Sequence, residues 1–164
     1  MKNVLVTGSS TGFGLLITKR LLEKGYTVFA TMRNLSEGNA AKAEKLNQFA
    51  QDKSGKLHLL DLDVTDESSV QAAVAKAVEL EGPVDVLVNN AGVGQGGHTE
   101  AFDDAQFKKV FEVNVFGVQR MIRAVLPSMR QRNQGLVINV SSVMGRMIIP
   151  FAGIYTASKF ALEG

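Results

Sequence analysis

Three side chains able to handle a proton lie close together late in the sequence: Ser142, Tyr155 and Lys159, in the run SSVMGRMIIPFAGIYTASK. Tyr155 and Lys159 are four residues apart, so on a helix they share one face, one turn from each other. A free tyrosine has a pKa near ~10, so about one phenol in a thousand is ionised at neutral pH. An ammonium held beside a phenol favours the phenolate. Lowering a phenol by about three units takes roughly 4 kcal/mol of differential interaction. A partly desolvated charge and a helix N-terminus can supply much of that. The chemistry on offer is proton transfer near neutral pH. A Tyr and a Lys at this spacing are also common on ordinary surface helices, so the pair takes its meaning from the elements that position it.

Those elements alternate. Val4, Leu5 and Val6 form an apolar run that reads as a buried parallel strand. It ends in Thr7-Gly8-Ser9-Ser10-Thr11-Gly12-Phe13-Gly14, and a helix follows over Leu15 to Lys24, stopped by Gly25. Strand, glycine turn and helix is the arrangement in which a backbone approaches a pyrophosphate and a helix N-terminus faces the anion. The same composition also serves a plain tight turn. Tyr26 to Thr31 reads as the second strand. An acidic residue at its end would suit a ribose 2′-hydroxyl, and an arginine a 2′-phosphate. Met32 and Arg33 stand there with no carboxylate, which favours NADP over NAD unless Arg33 is an ordinary loop residue.

A polar helix is expected over Gly38 to Asp52, then a third strand over Lys56 to Val64 that includes Asp63, with Thr65 as a helix cap. Val70, Val74 and Val78 mark the next helix, and Gly82-Pro83 ends it. The fourth strand, Val84 to Val88, runs into Asn89-Asn90-Ala91-Gly92, where small residues leave room for a ligand. Asp103 to Met129 is the longest helical pattern, and Asn114 falls on its apolar stripe beside Phe107, Phe111 and Val118. A buried unpaired amide costs about 1–3 kcal/mol, so Asn114 needs partners. It is either a tie to a neighbouring backbone or a polar group reaching the site. Pro127 is expected to kink or end this helix. A fifth strand, Leu136 to Val140, delivers Ser141 and Ser142. The alternation predicts a single α/β domain with a parallel sheet, helices on both faces and strand order 3-2-1-4-5.

Composition narrows the classes. With 164 residues, 45% apolar and 21% charged, the chain is globular. A net charge of +2 without a basic run argues against nucleic acid. The absence of cysteine excludes disulfides and thiolate chemistry and fits a cytoplasmic protein. The N-terminus enters a strand directly, so no signal peptide is expected. No apolar run approaches the ~20 residues of a membrane span.

TGSSTGFG, NNAG, INVSS and YTASK, in this order and with Ser142 thirteen residues before Tyr155, resemble the motifs of the short-chain dehydrogenase/reductase family. The likeness runs from Lys2 to Gly164. It implies a Rossmann-like doubly wound sheet and reversible hydride transfer between NADP(H), or NAD(H), and a carbonyl/alcohol pair. Tyr155 would be the general acid/base. Lys159 would tune it and bind the nicotinamide ribose, Ser142 would hold the substrate oxygen, and Asn114 would support a water relay. Gly8, Ser10, Gly12, Phe13, Gly14, Arg33, Asp63, Asn90, Ala91 and Gly92 would contact cofactor, together with Tyr155 and Lys159. YTVFATMRN resembles the hydroxysteroid and retinol branch, and Met144, Met147 and Ile148 suggest an apolar substrate wall, although they suit core filling equally well. Family members continue beyond the equivalent of Gly164 with further helices and strands. The chain is therefore expected to be incomplete at its C-terminus, and the intact protein to be a homo-oligomer, a dimer or tetramer. A cofactor-sensing regulatory protein without turnover, and an inactive fragment, are the alternatives.

Overall fold

The computed structural model describes residues 2–164. Five parallel strands, β1 (Asn3–Val6), β2 (Thr27–Met32), β3 (Lys56–Asp61), β4 (Val86–Asn89) and β5 (Leu136–Asn139), lie in the order β3-β2-β1-β4-β5. This is the order that the alternation predicts. Six helices connect and follow them: α1 (Gly12–Glu23), α2 (Ala40–Ala50), α3 (Glu67–Glu81), α4 (Asp104–Phe111), α5 (Gly117–Gln131) and α6 (Gly153–Glu163).

Alternate strand residues face opposite layers. Leu5, Phe29 and Leu87 pack with Val70, Met121 and Val125 of α3 and α5. Val4, Val6, Val28 and Val88 pack with Leu22 and Leu46 of α1 and α2. Burial on both faces is why Val4, Leu5 and Val6 of β1 read as an unbroken apolar run, and β2 is buried along its whole length. Each fully buried Leu or Phe contributes about 1.5–3 kcal/mol relative to exposure. The outer strand β5 differs, with Leu136 and Ile138 exposed.

Several local expectations are corrected. The second strand is shifted by one residue, β3 stops at Asp61 rather than Val64, β4 begins at Val86, and α2 is shorter at both ends. The cap of α3 is Asp66, whose Oδ1 accepts the Ser68 N–H at 2.8 Å, not Thr65, whose hydroxyl turns back to Asp63 at 2.8 Å. The inner stripe of α3 is Val70, Ala73, Val74 and Ala77, and Val78 is exposed. Pro127 neither ends α5 nor stops it short: the helix runs to Gln131. The missing proline N–H removes one ladder bond, but Val125 and Met129 on either side are buried in the core and hold the helix. The long pattern from Asp103 also does not form one uniform helix. It opens with a capping box between Asp103 and Gln106, then widens to a π-turn over Glu112–Phe116 before α5. Gly117 lets the chain after the wide turn pack closely on Val64, since a Cβ there would meet Val64 Cγ2 at 2.8 Å.

Candidate active site

The site lies at the carboxyl ends of β1, β2, β4 and β5. Beyond β1 the chain turns at Gly8, whose φ of 69° places it in the left-handed region, where a side chain would be strained. A Cβ at Gly8 would also stand 2.9 Å from Ala91 Cα, and one at Gly14 2.2 Å from the Gly8 carbonyl. The turn is therefore pressed against the end of β4. Thr7, which sequence reasoning did not single out, stitches the two. Its Oγ1 accepts the N–H groups of Asn90 (3.0 Å) and Ala91 (2.9 Å). Asn90 answers with its amide nitrogen, donating to the carbonyls of Thr7 (2.9 Å) and Gly8 (3.1 Å). The only sequence signal for this latch is that both strand ends carry short polar residues.

The first turn of α1 has no acidic residue, and Thr11 makes no side-chain cap, so its N–H groups are free for an anion. Gly8, Ser10, Phe13, Arg33, Asp63 and Asn90 line a cleft of about 390 Å³ above it. Ser9 is not part of this lining. It is fully buried, donates to the Val6 carbonyl at 3.1 Å and accepts from Thr18 at 3.3 Å. Arg33 reaches Asp63 at 3.7 Å with both side chains largely in solvent, an ion pair of about 0–1 kcal/mol.

Asn114 sits at the middle of the π-turn and is 1% exposed. Its Oδ1 accepts the Val93 N–H at 2.9 Å, while its Nδ2 donates to the Val93 carbonyl and to Ser158 Oγ, each at 2.9 Å. Of the two readings the sequence left open, the backbone tie is therefore present. The tie also borders the site. A Cβ at Gly92 would lie 3.3 Å from Asn114 Oδ1 and 3.9 Å from Lys159 Nζ. Gly92 lines both clefts without a side chain, and with the uncapped helix end this fits a bound anionic dinucleotide.

The Asn114 bond to Ser158 ties α6 to the π-turn, and Ser158 itself donates to the Tyr155 carbonyl, one turn back in α6, at 2.7 Å. Helical spacing then brings Tyr155 and Lys159 to the same side. The Lys159 Nζ lies 5.7 Å from the Tyr155 ring centroid, within range of a cation–π contact, and donates to the Val140 carbonyl at 2.9 Å. Lys159 is 5% exposed, and burial holds its ammonium below the ordinary lysine range. Ser142 lies three residues past the end of β5 in extended backbone, and its Oγ accepts the Met144 N–H at 3.2 Å. Ser142, Tyr155 and Lys159 line a second cleft of about 460 Å³. It shares Phe13, Asn90, Gly92 and Val93 with the first, so the glycine turn and Ser142, Tyr155 and Lys159 border adjoining clefts. Val143, Met147, Ile148 and Phe151 leave an exposed apolar rim, whereas Met144 is half-buried. No cluster of potential metal ligands occurs among the described residues.

Known proteins share this arrangement. Residues 2–164 match the family described as short chain dehydrogenase, and the chain belongs to that family. It is 41% identical over 161 residues to a 3-ketodihydrosphingosine reductase of Bacteroides thetaiotaomicron, covering 98% of this chain and 54% of the relative. It is 44% identical over 165 residues to estradiol 17-beta-dehydrogenase 1 of Rattus norvegicus, covering 98% and 46%. Among solved structures, an alcohol dehydrogenase from the archaeon Thermococcus sibiricus complexed with 5-hydroxy-NADP superposes with a TM-score of 0.89 at 31% identity, covering 98% of this chain and 66% of that one. The chain thus spans about half the length of these curated relatives. No helix among the described residues is long and apolar enough to cross a membrane.

Proposed function

We propose that the intact protein is an oxidoreductase that moves a hydride reversibly between NADP(H) and a carbonyl/alcohol substrate, with residues 1–164 as one cofactor-binding domain. The observation that carries this is the convergence of Ser142, Tyr155 and Lys159 on a cleft adjoining the one at the glycine turn. Gly8, Ser10 and the free N–H groups of α1 would hold the pyrophosphate, and Asp63 and Arg33 the adenosine end. Bound there, the nicotinamide supplies or accepts the hydride.

In reduction, Tyr155 gives its phenolic proton to the substrate oxygen as the carbonyl carbon gains the hydride, and a C=O becomes a CH–OH. In oxidation the tyrosinate takes the hydroxyl proton back. Ser142 hydrogen-bonds the same oxygen. Lys159 sets a positive charge beside the ring that becomes negative when the proton leaves, and it would bind the nicotinamide ribose. Asn114 keeps Val93 and Ser158 in place, the junction from which a water relay would start.

The preference for NADP over NAD rests on Arg33 and on the lack of a carboxylate at the end of β2. An apolar substrate is supported by the exposed rim and by the steroid and sphingoid chemistry named for the two relatives. The same reading takes the protein as a cytoplasmic homo-oligomer, for which the exposed Phe107, Phe116 and Phe160 offer apolar surface. Light scattering measures its mass.

The test is Tyr155→Phe in the full chain. Reduction of an aromatic ketone by NADPH should fall about 10³-fold while NADPH binding, followed by its fluorescence, stays within about twofold. Retained turnover removes Tyr155 from the mechanism. Cofactor binding with no turnover in the unmodified protein favours a regulatory role.

A further inference from the structure

Asn114 owes its aim to a turn that ordinary helix geometry does not make. The Gly117 N–H donates to the Glu112 carbonyl, five residues back, and closes the π-turn Glu112–Phe116. Each α-helical residue advances about 100° around the axis, so in an unbroken helix positions 112 and 120 stand roughly 80° apart. The wide turn takes up one extra residue and returns them to one face, roughly where α-helical residues seven apart would stand. Arg120 meets Glu112 there. Its Nη2 donates to Glu112 Oε2 at 2.8 Å, across the whole π-turn.

The same guanidinium is tied on two further sides. Its Nη1 donates to the Val64 carbonyl at 3.4 Å, and its Nε stands 4.0 Å from the Glu67 carboxylate of α3. Arg123 also pairs with Glu67, but its side chain is 55% exposed against 20% for Arg120, so Arg120 is the arginine built into the packing. Val64 lies close against Gly117, the residue that closes the turn. What the turn presents is Asn114, whose bonds to Val93 and Ser158 join the chain beyond β4 to α6. Val93 lines both clefts. Closing the turn to α-helical width would rotate the chain before it by roughly 100° against α5 and take Asn114 off its partners.

We propose that Arg120 is a positioning residue: its bond to Glu112 holds the wide register of the turn between α4 and α5, and so keeps Asn114 on Val93 and Ser158 where the two clefts adjoin. The effect on turnover rests on the oxidoreductase reading, while the holding of the turn does not.

The experiment compares Arg120→Met, Glu112→Ala, Glu112→Gln and the double variant Glu112→Ala/Arg120→Met with the unmodified full chain. It reads amide hydrogen exchange at Val93, whose N–H Asn114 accepts, and kcat for NADPH-dependent reduction of an aromatic ketone, with NADPH affinity followed separately. Arg120→Met and Glu112→Ala should each exchange at Val93 at least about tenfold faster. Each should lose about ten- to a hundredfold in kcat with NADPH affinity within about twofold. Glu112→Gln keeps an acceptor for Arg120 and should recover most of both losses. The double variant should be no worse than Arg120→Met, because both changes break one brace. Unchanged Val93 exchange in Glu112→Ala overturns the proposal, and that variant decides the matter even if Arg120→Met fails to fold. Losses that multiply in the double variant overturn it too, since the two residues would then act separately. So does faster exchange with kcat retained, because the brace would then serve the fold alone. If the unmodified chain reduces no ketone, the oxidoreductase reading fails, and the Val93 exchange ratios still decide whether Arg120 holds the turn.

Discussion

At the glycine turn, short side chains and bare backbone make the site; at the β5–α6 end, long side chains do. Thr7 and Asn90 saturate each other's neighbouring N–H and C=O groups across two strands, and the spaces at Gly8 and Gly14 leave no room for a methyl group. Tyr155 and Lys159 instead project from a helix face, pinned through Ser158 and the Val140 carbonyl, beside an exposed apolar rim. On the proposed reading, the difference follows from what each half would have to do. A phosphate needs backbone donors at fixed positions, which a rigid and tightly packed turn supplies. A proton has to be delivered to an oxygen outside the backbone's reach, which takes a long side chain with a charge beside it.

The largest expected effect breaks the first half. Gly14→Ala places a methyl 2.2 Å from the Gly8 carbonyl and 2.4 Å from Asn90 Nδ2, neither of which can move without undoing the latch. A loss of about 3 kcal/mol or more in unfolding free energy and of most NADPH binding is expected, read by denaturation and fluorescence titration. A variant that melts and binds as before would mean the latch is loose. Next comes Thr7→Val, which keeps the shape and leaves the Asn90 and Ala91 N–H groups without their acceptor. It should cost about 2 kcal/mol and weaken cofactor binding while leaving α6 unaffected.

On the other half, the buried Lys159 offers a pH test. Its folded pKa is lowered from 10.5, so between that folded value and 10.5 the unfolded chain binds more protons and stability rises with pH. Below the folded pKa the penalty is present in full. Lys159→Met should flatten that alkaline rise in the ligand-free protein; equal slopes in denaturation curves would place the ammonium in water. The smallest effect sharpens the comparison at its outer edge. Arg33→Ala should narrow the gap between NADPH and NADH affinity, by about tenfold at most, with almost no change in stability because its ion pair is solvated. An unchanged ratio reduces Arg33 to a loop residue.

Much of the site was legible because its residues follow strand ends. Gly8, Asn90 and Ser142 were found by asking which residues an apolar run delivers. Asn114 was recognised as needing partners, although the π-turn that aims it was not foreseen: hydrophobic spacing over 103–129 reads the same through one wide turn. Strand ends were misjudged where hydrophobic burial outlasts pairing, as at Leu62 and Val64, which are buried although β3 has ended. Pro127 does not end α5, because the packing of Val125 and Met129 on either side of it outweighs the local preference.

The sequence by itself determined the alternation of elements and hence the sheet order, the side of α6 shared by Tyr155 and Lys159, and the small residues at the turn. These follow from periodicities of two and 3.6 and from steric limits that act within a few residues. Tertiary structure alone decided that Thr7 latches Asn90, that Asn114 is taken up by Val93 and Ser158, and that the Lys159 ammonium rests on the Val140 carbonyl. Hydrogen-bond partners of this kind depend on how strands and helices far apart in the chain are brought together. A shift of one residue would turn each side chain to the opposite face of its sheet.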